Sequence, residues 1–178
     1  SPNLRMTGNW EDADRRIAAK ALVQRWRPFR VARVEQECSS VRSLYLSPND
    51  GVATVLPLPG QHLPIRMMLP NTAEVLFRTY TLSLAPSDGE YRISVKKDGK
   101  ASRHLHSLRV GDLLEARAPA GIFTVDAAQR RPLVLLAAGI GITPILAMLR
   151  HLVHEGERTR TLRPTWLFQS ARTLEERP

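Results

Sequence analysis

Polar and apolar residues alternate along Val75-Leu76-Phe77-Arg78-Thr79-Tyr80-Thr81-Leu82-Ser83-Leu84, and the β-branched and aromatic members of the run predict a strand. The strand ends in a turn at Ala85-Pro86-Ser87-Asp88-Gly89. A second alternating segment, Tyr91-Arg92-Ile93-Ser94-Val95-Lys96-Lys97, predicts another strand, followed by Gly99 and a short helix with Ser102 as its N-cap. From Pro132 the pattern changes. An unbroken apolar run to Ala138 predicts a buried parallel strand, which enters a Gly-x-Gly turn. A helix follows, with apolar positions Ile145, Leu146, Met148, Leu149 and Leu152, and then a further strand, Thr165-Trp166-Leu167-Phe168-Gln169.

Three of these segments carry candidate chemistry. Alternate side chains of a strand share a face, so Arg78 and Tyr80 point the same way. A guanidinium fork suits phosphate, and a phenol stacks on a flat ring while its hydroxyl bonds a polyol. Alone, the same residues describe an edge strand with a solvated Arg and a half-buried Tyr. The helix start after Gly99 offers unpaired N–H groups to an anion such as a pyrophosphate, or is an ordinary capped helix without a ligand. His104 and His106 stand two apart on different helix faces, which argues against a shared metal site. In Gly139-Ile140-Gly141-Ile142-Thr143-Pro144, the glycines permit close approach of a phosphate, and Pro144 fits the first turn of a helix. The third glycine of the dinucleotide fingerprint is replaced by Pro144, so this segment taken alone is a nucleotide site or a structural βα connection.

In this order the three segments resemble the ferredoxin-NADP reductase-like flavoprotein family, of the flavohaemoglobin or oxygenase-reductase type. The resemblance runs from about Phe29 to Thr173. It is supported by Pro59-Gly60-Gln61-His62-Leu63, by Val110-Gly111-Asp112 and by Ala118-Pro119-Ala120-Gly121-Ile122-Phe123. It implies a mixed fold: an antiparallel Greek-key β-barrel that binds FAD over residues 29–126, then an incomplete parallel α/β domain for NAD(P)H over 131–178. By the resemblance Arg78 would hold the flavin pyrophosphate and Tyr80 would contact the flavin and ribityl chain. Thr81 would approach flavin N5 as the catalytic residue. The cofactor-binding set it implies further includes His62, Thr79, Val95, Lys96, Gly99, Ala101 and Ser102, with Gly139, Ile140, Gly141, Thr143 and Pro144 meeting the nicotinamide cofactor. His62 stands where relatives often carry an aromatic.

The 178 residues allow one full domain and part of another, and the chain begins at Ser1, which together suggest an excerpt of a longer polypeptide. Residues 1–28 differ from the rest. Acids at Glu11, Asp12 and Asp14 precede bases up to Arg25, and the apolar positions Trp10, Ile17, Ala21, Leu22 and Trp26 fall partly on one face. This predicts a helix or linker packed on the barrel or on an upstream domain, its acidic first turn arguing against a membrane-surface helix.

Charge adds one constraint. The net charge of +9, from 26 basic and 17 acidic residues, favours anionic partners: nucleotide phosphates, an acidic electron-transfer protein or nucleic acid. Aromatic content of only 6% and the lack of a long basic run or a known binding module argue against specific nucleic-acid binding. A single cysteine, Cys38, excludes an internal disulfide or an iron–sulfur cluster held by this segment. No apolar run reaches membrane-spanning length and no signal-peptide pattern is visible, so the expected compartment is the cytoplasm. The function expected is electron transfer from NAD(P)H through FAD to an iron–sulfur or haem partner, separate or fused. The alternatives are a catalytically incomplete flavin-binding fragment and a non-enzymatic interaction module.

Overall fold

Six alternating segments of the first half assemble into one antiparallel sheet, because each has one apolar and one polar face. They are β1 (Arg27–Gln36), β2 (Val41–Pro48), β3 (His62–Met68), β4 (Val75–Thr81), β5 (Tyr91–Lys96) and β6 (Leu113–Ala116). The computed structural model describes residues 24–83 and 89–171, together with Ala21. The helix expected over 11–26 and the turn over 85–89 fall largely outside these residues.

The sheet order is β4-β3-β6-β1-β2-β5, and it curls until its two ends approach. A bridge between Leu82 and Ile93 joins the end of β4 to β5, and the Ser83 N–H donates to the Arg92 carbonyl at 3.0 Å. Among the described residues no continuous ladder closes that seam, and the architecture they form is barrel-like rather than closed. Inward-facing residues at every second position form its core: Phe29 and Val31, Leu44 and Leu46, Leu63, Ile65 and Met67, Ile93 and Val95, Leu114 and Ala116. Each large side chain buried there contributes roughly 1.5–3 kcal/mol. Helix α1 (Lys100–Ser107) caps the core by inserting Ala101 and Leu105.

The second half has its own small core. Strands β7 (Leu133–Ala138) and β8 (Thr165–Ser170) pair in parallel, and the crossover between them is helix α2 (Ile142–Thr159). Ile145, Met148 and Leu152 of α2 pack over Leu135. The expected burial of this strand holds for one face only. Val134 and Leu136 are 56% and 70% exposed, as are their cross-strand partners Trp166 and Phe168 at 52% and 59%. The correction has a simple cause: α2 covers one side of the pair, and nothing among the described residues covers the other.

Gly60 joins the two halves. Its φ of +100° belongs to glycine, and a Cβ there would collide with the Phe123 carbonyl and the Met148 methyl of α2. Backbone from the loop before β3, backbone from the segment after β6 and one side chain of α2 therefore meet at a single point.

Candidate functional site

A cleft of about 440 Å³ opens where β4, β5, the start of α1 and the turn before α2 converge. Its lining contains Arg78, Thr79, Tyr80 and Thr81 from β4, Lys96 from β5, Gly99, Ala101 and Ser102 from α1, and Ile140, Gly141, Thr143 and Pro144 from the α2 turn. Segments as much as 66 positions apart in sequence thus share one cavity. Its size falls within the roughly 300–1,000 Å³ typical of small-molecule sites.

Each wall follows from local physics. β4 is an edge strand with β3 on one side, in the register Ile65 to Arg78 and Leu63 to Tyr80. Arg78 and Tyr80 therefore follow Leu76 along one face but extend past the core into the open seam. The Arg78 guanidinium is exposed and donates at 2.8 Å to the carbonyl of Phe77, and it forms no ion pair among the described residues. Tyr80 is half-buried; burial pushes its phenol above the usual value, with the charge of Arg78 opposing. Both groups suit a ligand that is flat at one end and anionic at the other.

The α1 wall corrects one expectation. The helix starts at Lys100, with Gly99 rather than Ser102 in the cap position, at φ +102° and ψ −178°, a conformation that is nearly glycine-only. Ser102 lies inside the first turn. Its hydroxyl accepts from the Asp98 N–H at 2.7 Å and donates to the Gly99 carbonyl at 3.1 Å, clamping the loop before the helix. That leaves the N–H groups of Lys100, Ala101 and Ser102 without intrahelical partners beside the cleft. No acid occupies the first turn of α1, although Lys100 is ion-paired with Glu74 outside it. Facing α1, Gly139 has φ +52°, and the Thr143 hydroxyl donates to the Ile140 carbonyl at 3.0 Å, fixing the turn into α2.

Three expected residues do not line the cavity. Val95 faces the barrel core, fully buried between Ser94 and Lys96. His62 pairs with Thr81 and lies against Gly121, where a Cβ would come within 2.9 Å of its Nδ1. Gly139 shapes the turn from behind. Ser94, Asp98 and Lys100 line the cleft and were not singled out from the sequence, although the alternation through Val95 places Ser94 on the same side as Lys96.

A second cavity of about 420 Å³ lies between residues 127–130 and the end of α2. Two of its three arginines are already engaged, leaving Arg130 as its one cation without an ion pair among the described residues. Arg158 pairs with Glu155 at 2.7 Å, and Arg163 donates to the carbonyls of Arg131 and Asp126. The cleft beside Arg78 is the better anion site because Arg78 and Lys96 form no ion pair among the described residues. Among those residues no cluster of His, Cys, Asp or Glu could hold a metal ion, and no helix is long and apolar enough to cross a membrane.

Comparison with known proteins places the chain among flavoproteins of one family. A flavohemoprotein of Candida albicans is 41% identical over 153 residues, covering 82% of this chain but 38% of its own length. The chain thus spans about two fifths of that relative. Among solved structures, the flavohem-like FAD/NAD binding domain of nitric oxide dioxygenase from Vibrio cholerae superposes with a TM-score of 0.75 at 34% identity, covering 84% of this chain and 64% of that one. Phthalate dioxygenase reductase, described as a modular structure for electron transfer from pyridine nucleotides to [2Fe-2S], gives a TM-score of 0.71 at 28% identity, with 85% and 45% covered. The family model for the oxidoreductase FAD-binding domain matches residues 28–125, more than half of the chain, and the chain belongs to that family.

Proposed function

We propose that the chain holds FAD in the cleft and forms the flavin-bearing part of an NAD(P)H-dependent oxidoreductase, passing electrons on to a haem or iron–sulfur partner. One observation carries this reading: Arg78, Tyr80 and Thr81, the open start of α1 and the turn bearing Ile140, Gly141, Thr143 and Pro144 converge on one cavity. The residues fit the cofactor. Arg78 and the N–H groups of Lys100, Ala101 and Ser102 supply donors for a diphosphate. Tyr80 offers a half-buried ring for stacking, and Thr81 sets a hydroxyl at the seam. Bound FAD supplies hydride and single-electron chemistry; the protein's part is to orient it and to exclude water. The turn before α2, on the opposite wall, is the proposed contact for the nicotinamide cofactor.

The proposed division of labour assigns flavin to residues 29–126 and nicotinamide to 131–178, with residues 1–28 as a leading helix or linker. A cytoplasmic location and a redox partner, fused or separate, belong to the same proposal. A second reading is favoured by the exposed face of β7 and β8: the residues described here bind flavin without accepting hydride efficiently. Reconstitution with FAD decides between them. Flavin absorbance on the purified chain, bleached by NADH or NADPH, supports the full reading. Bound flavin that neither nucleotide bleaches favours the second reading, and failure to retain flavin overturns both in favour of an interaction module.

A further inference from the structure

From the edge of the cleft, a series of polar side chains runs along the outer face of β2 and β5. Ser94 lines the cleft. Its Oγ lies 2.9 Å from the Oγ of Ser43, a fully buried residue on the adjacent strand, and the Ser43 hydroxyl donates at 2.6 Å to Glu37 Oε1. The Glu37 side chain is 20% exposed, so the series runs from the cavity to solvent.

Counting protons gives the series a direction. A serine hydroxyl has one proton to donate. Ser43 gives its proton to Glu37, so in the 2.9 Å contact Ser94 is the donor and Ser43 the acceptor. The competing contact from Ser94 to Ser83 is longer, at 3.4 Å, and the Ser83 hydroxyl is directed to the Arg92 carbonyl. Ser94 Oγ is then free to accept from a donor in the cleft. Thr81 is the neighbour in question: the register of the Leu82–Ile93 bridge sets it opposite Ser94.

Glu37 is built to stay charged. Burial pushes its carboxyl up, but hydrogen bonds from Ser43 and Arg92, with the charges of Arg92 on β5 and Arg150 on α2, outweigh this and hold it below the usual carboxylate range. On β1, Arg33 and Glu35 face each other at 3.9 Å, and Glu35 accepts from Tyr45 at 2.9 Å, so they are engaged elsewhere. A charged Glu37 keeps both hydroxyls pointing outward.

We propose that Ser94, Ser43 and Glu37 form a proton relay between the Thr81 end of the cleft and solvent. The inference rests on the flavin reading of that cleft. Hydride arriving from a reduced nicotinamide carries two electrons and one hydrogen nucleus; when both electrons leave singly to one-electron acceptors, that nucleus remains as one proton to be released. The relay moves it by concerted exchange. Ser94 accepts a proton and passes its own to Ser43, Ser43 passes its own to Glu37, and water takes it from Glu37.

The test uses the full chain loaded with FAD and reduced photochemically, then mixed with ferricyanide as the one-electron acceptor. Two ferricyanide ions take two electrons and one proton appears, read by a pH-indicator dye in weak buffer, in H₂O and in D₂O. Glu37→Gln preserves the size and hydrogen bonds of the side chain but cannot take a proton. It should slow proton appearance by roughly 100-fold, the lower range for a positioned proton-transfer group. FAD affinity should stay unchanged and the solvent isotope effect should be altered. Ser43→Ala should do the same and Ser43→Thr, which restores a hydroxyl, should reverse it; if Ser43→Ala does not fold, Glu37→Gln decides. Titration of the Glu37 carboxyl by carbon NMR in the flavin-free chain gives an independent reading, since Ser43→Ala should raise it. Unchanged proton release in Glu37→Gln with FAD bound overturns the relay alone. A chain that retains no FAD overturns the flavin reading of the cleft and the relay with it.

Discussion

Replacing Arg78 by alanine tests the flavin site most directly, because the structure separates its part in binding from any part in folding. The side chain is exposed, and its one hydrogen bond among the described residues, to the Phe77 carbonyl at 2.8 Å, joins adjacent residues. Its removal should therefore change stability by no more than about 0.5 kcal/mol. Binding is a different matter. A charge-assisted hydrogen bond to phosphate is worth about 1.5 to 3 kcal/mol, and with no acid competing for the guanidinium most of that falls on the ligand. The Kd for FAD should then rise roughly 10- to 150-fold. Riboflavin, which has the same ring system and no phosphate, provides the control. Fluorescence titrations of both ligands against the parent chain and Arg78→Ala, with thermal melts alongside, complete a cycle in which the FAD penalty appears and the riboflavin penalty does not. Equal penalties for the two ligands would refute a phosphate role for Arg78, and an unchanged Kd would leave it a surface residue.

Three further outcomes are expected. Thr81→Val keeps the shape and removes the hydroxyl, so FAD should remain bound while stopped-flow reduction by NAD(P)H in the complete polypeptide slows by about two to three decades, the cost of losing an oriented donor at a reacting atom. Gly99→Ala meets no steric obstacle, yet its φ of +102° makes the substitution cost about 1–3 kcal/mol in urea unfolding, with weaker FAD binding as the start of α1 shifts. Asp50 is held at about 2, against an ordinary value of 3.8, chiefly by its hydrogen bond from Arg27. A depressed folded value means that the stabilisation is present above pH 4 and is lost as pH falls towards 2. The linkage bound is about 2.4 kcal/mol, and partial exposure reduces it to the order of 1 kcal/mol. Acid denaturation of Asp50→Asn should lack that part of the slope, and a parallel pH curve would disprove the coupling.

What the sequence reveals depends on how local the physics is. Period-two alternation is enough to put Arg78 and Tyr80 on one face of β4 and to mark out β4 and β5, the two strands that line the cleft. Helix period likewise picked out Ile145, Met148 and Leu152 of α2. Ser102 misled because a serine near a helix start looks the same whether it caps from outside or reaches back from the first turn; only the Gly99 dihedrals decide. The apolar run at Leu133–Ala138 reports hydrophobicity, not which neighbours exist, so the exposure of Val134 and Leu136 was invisible. The resemblance sets Val95 among the cofactor residues, while the same alternation turns its side chain into the core. Ser43 and Ser94 stand 51 positions apart and meet only through the register of β2 with β5, which no local pattern encodes.

Gly60 makes the breadth of the cleft a matter of mechanical tolerance. The barrel, through the loop before β3, and α2, whose first turn carries Thr143 and Pro144, abut where the glycine meets the Phe123 carbonyl, with only the Met148 side chain between them. A single added carbon there would act as a shim, prising the walls apart and widening the cleft without touching anything bound in it. Sensitivity to substitution should therefore extend to residues that never contact a ligand, and Gly60 is the place where the least added matter would have the largest effect on alignment.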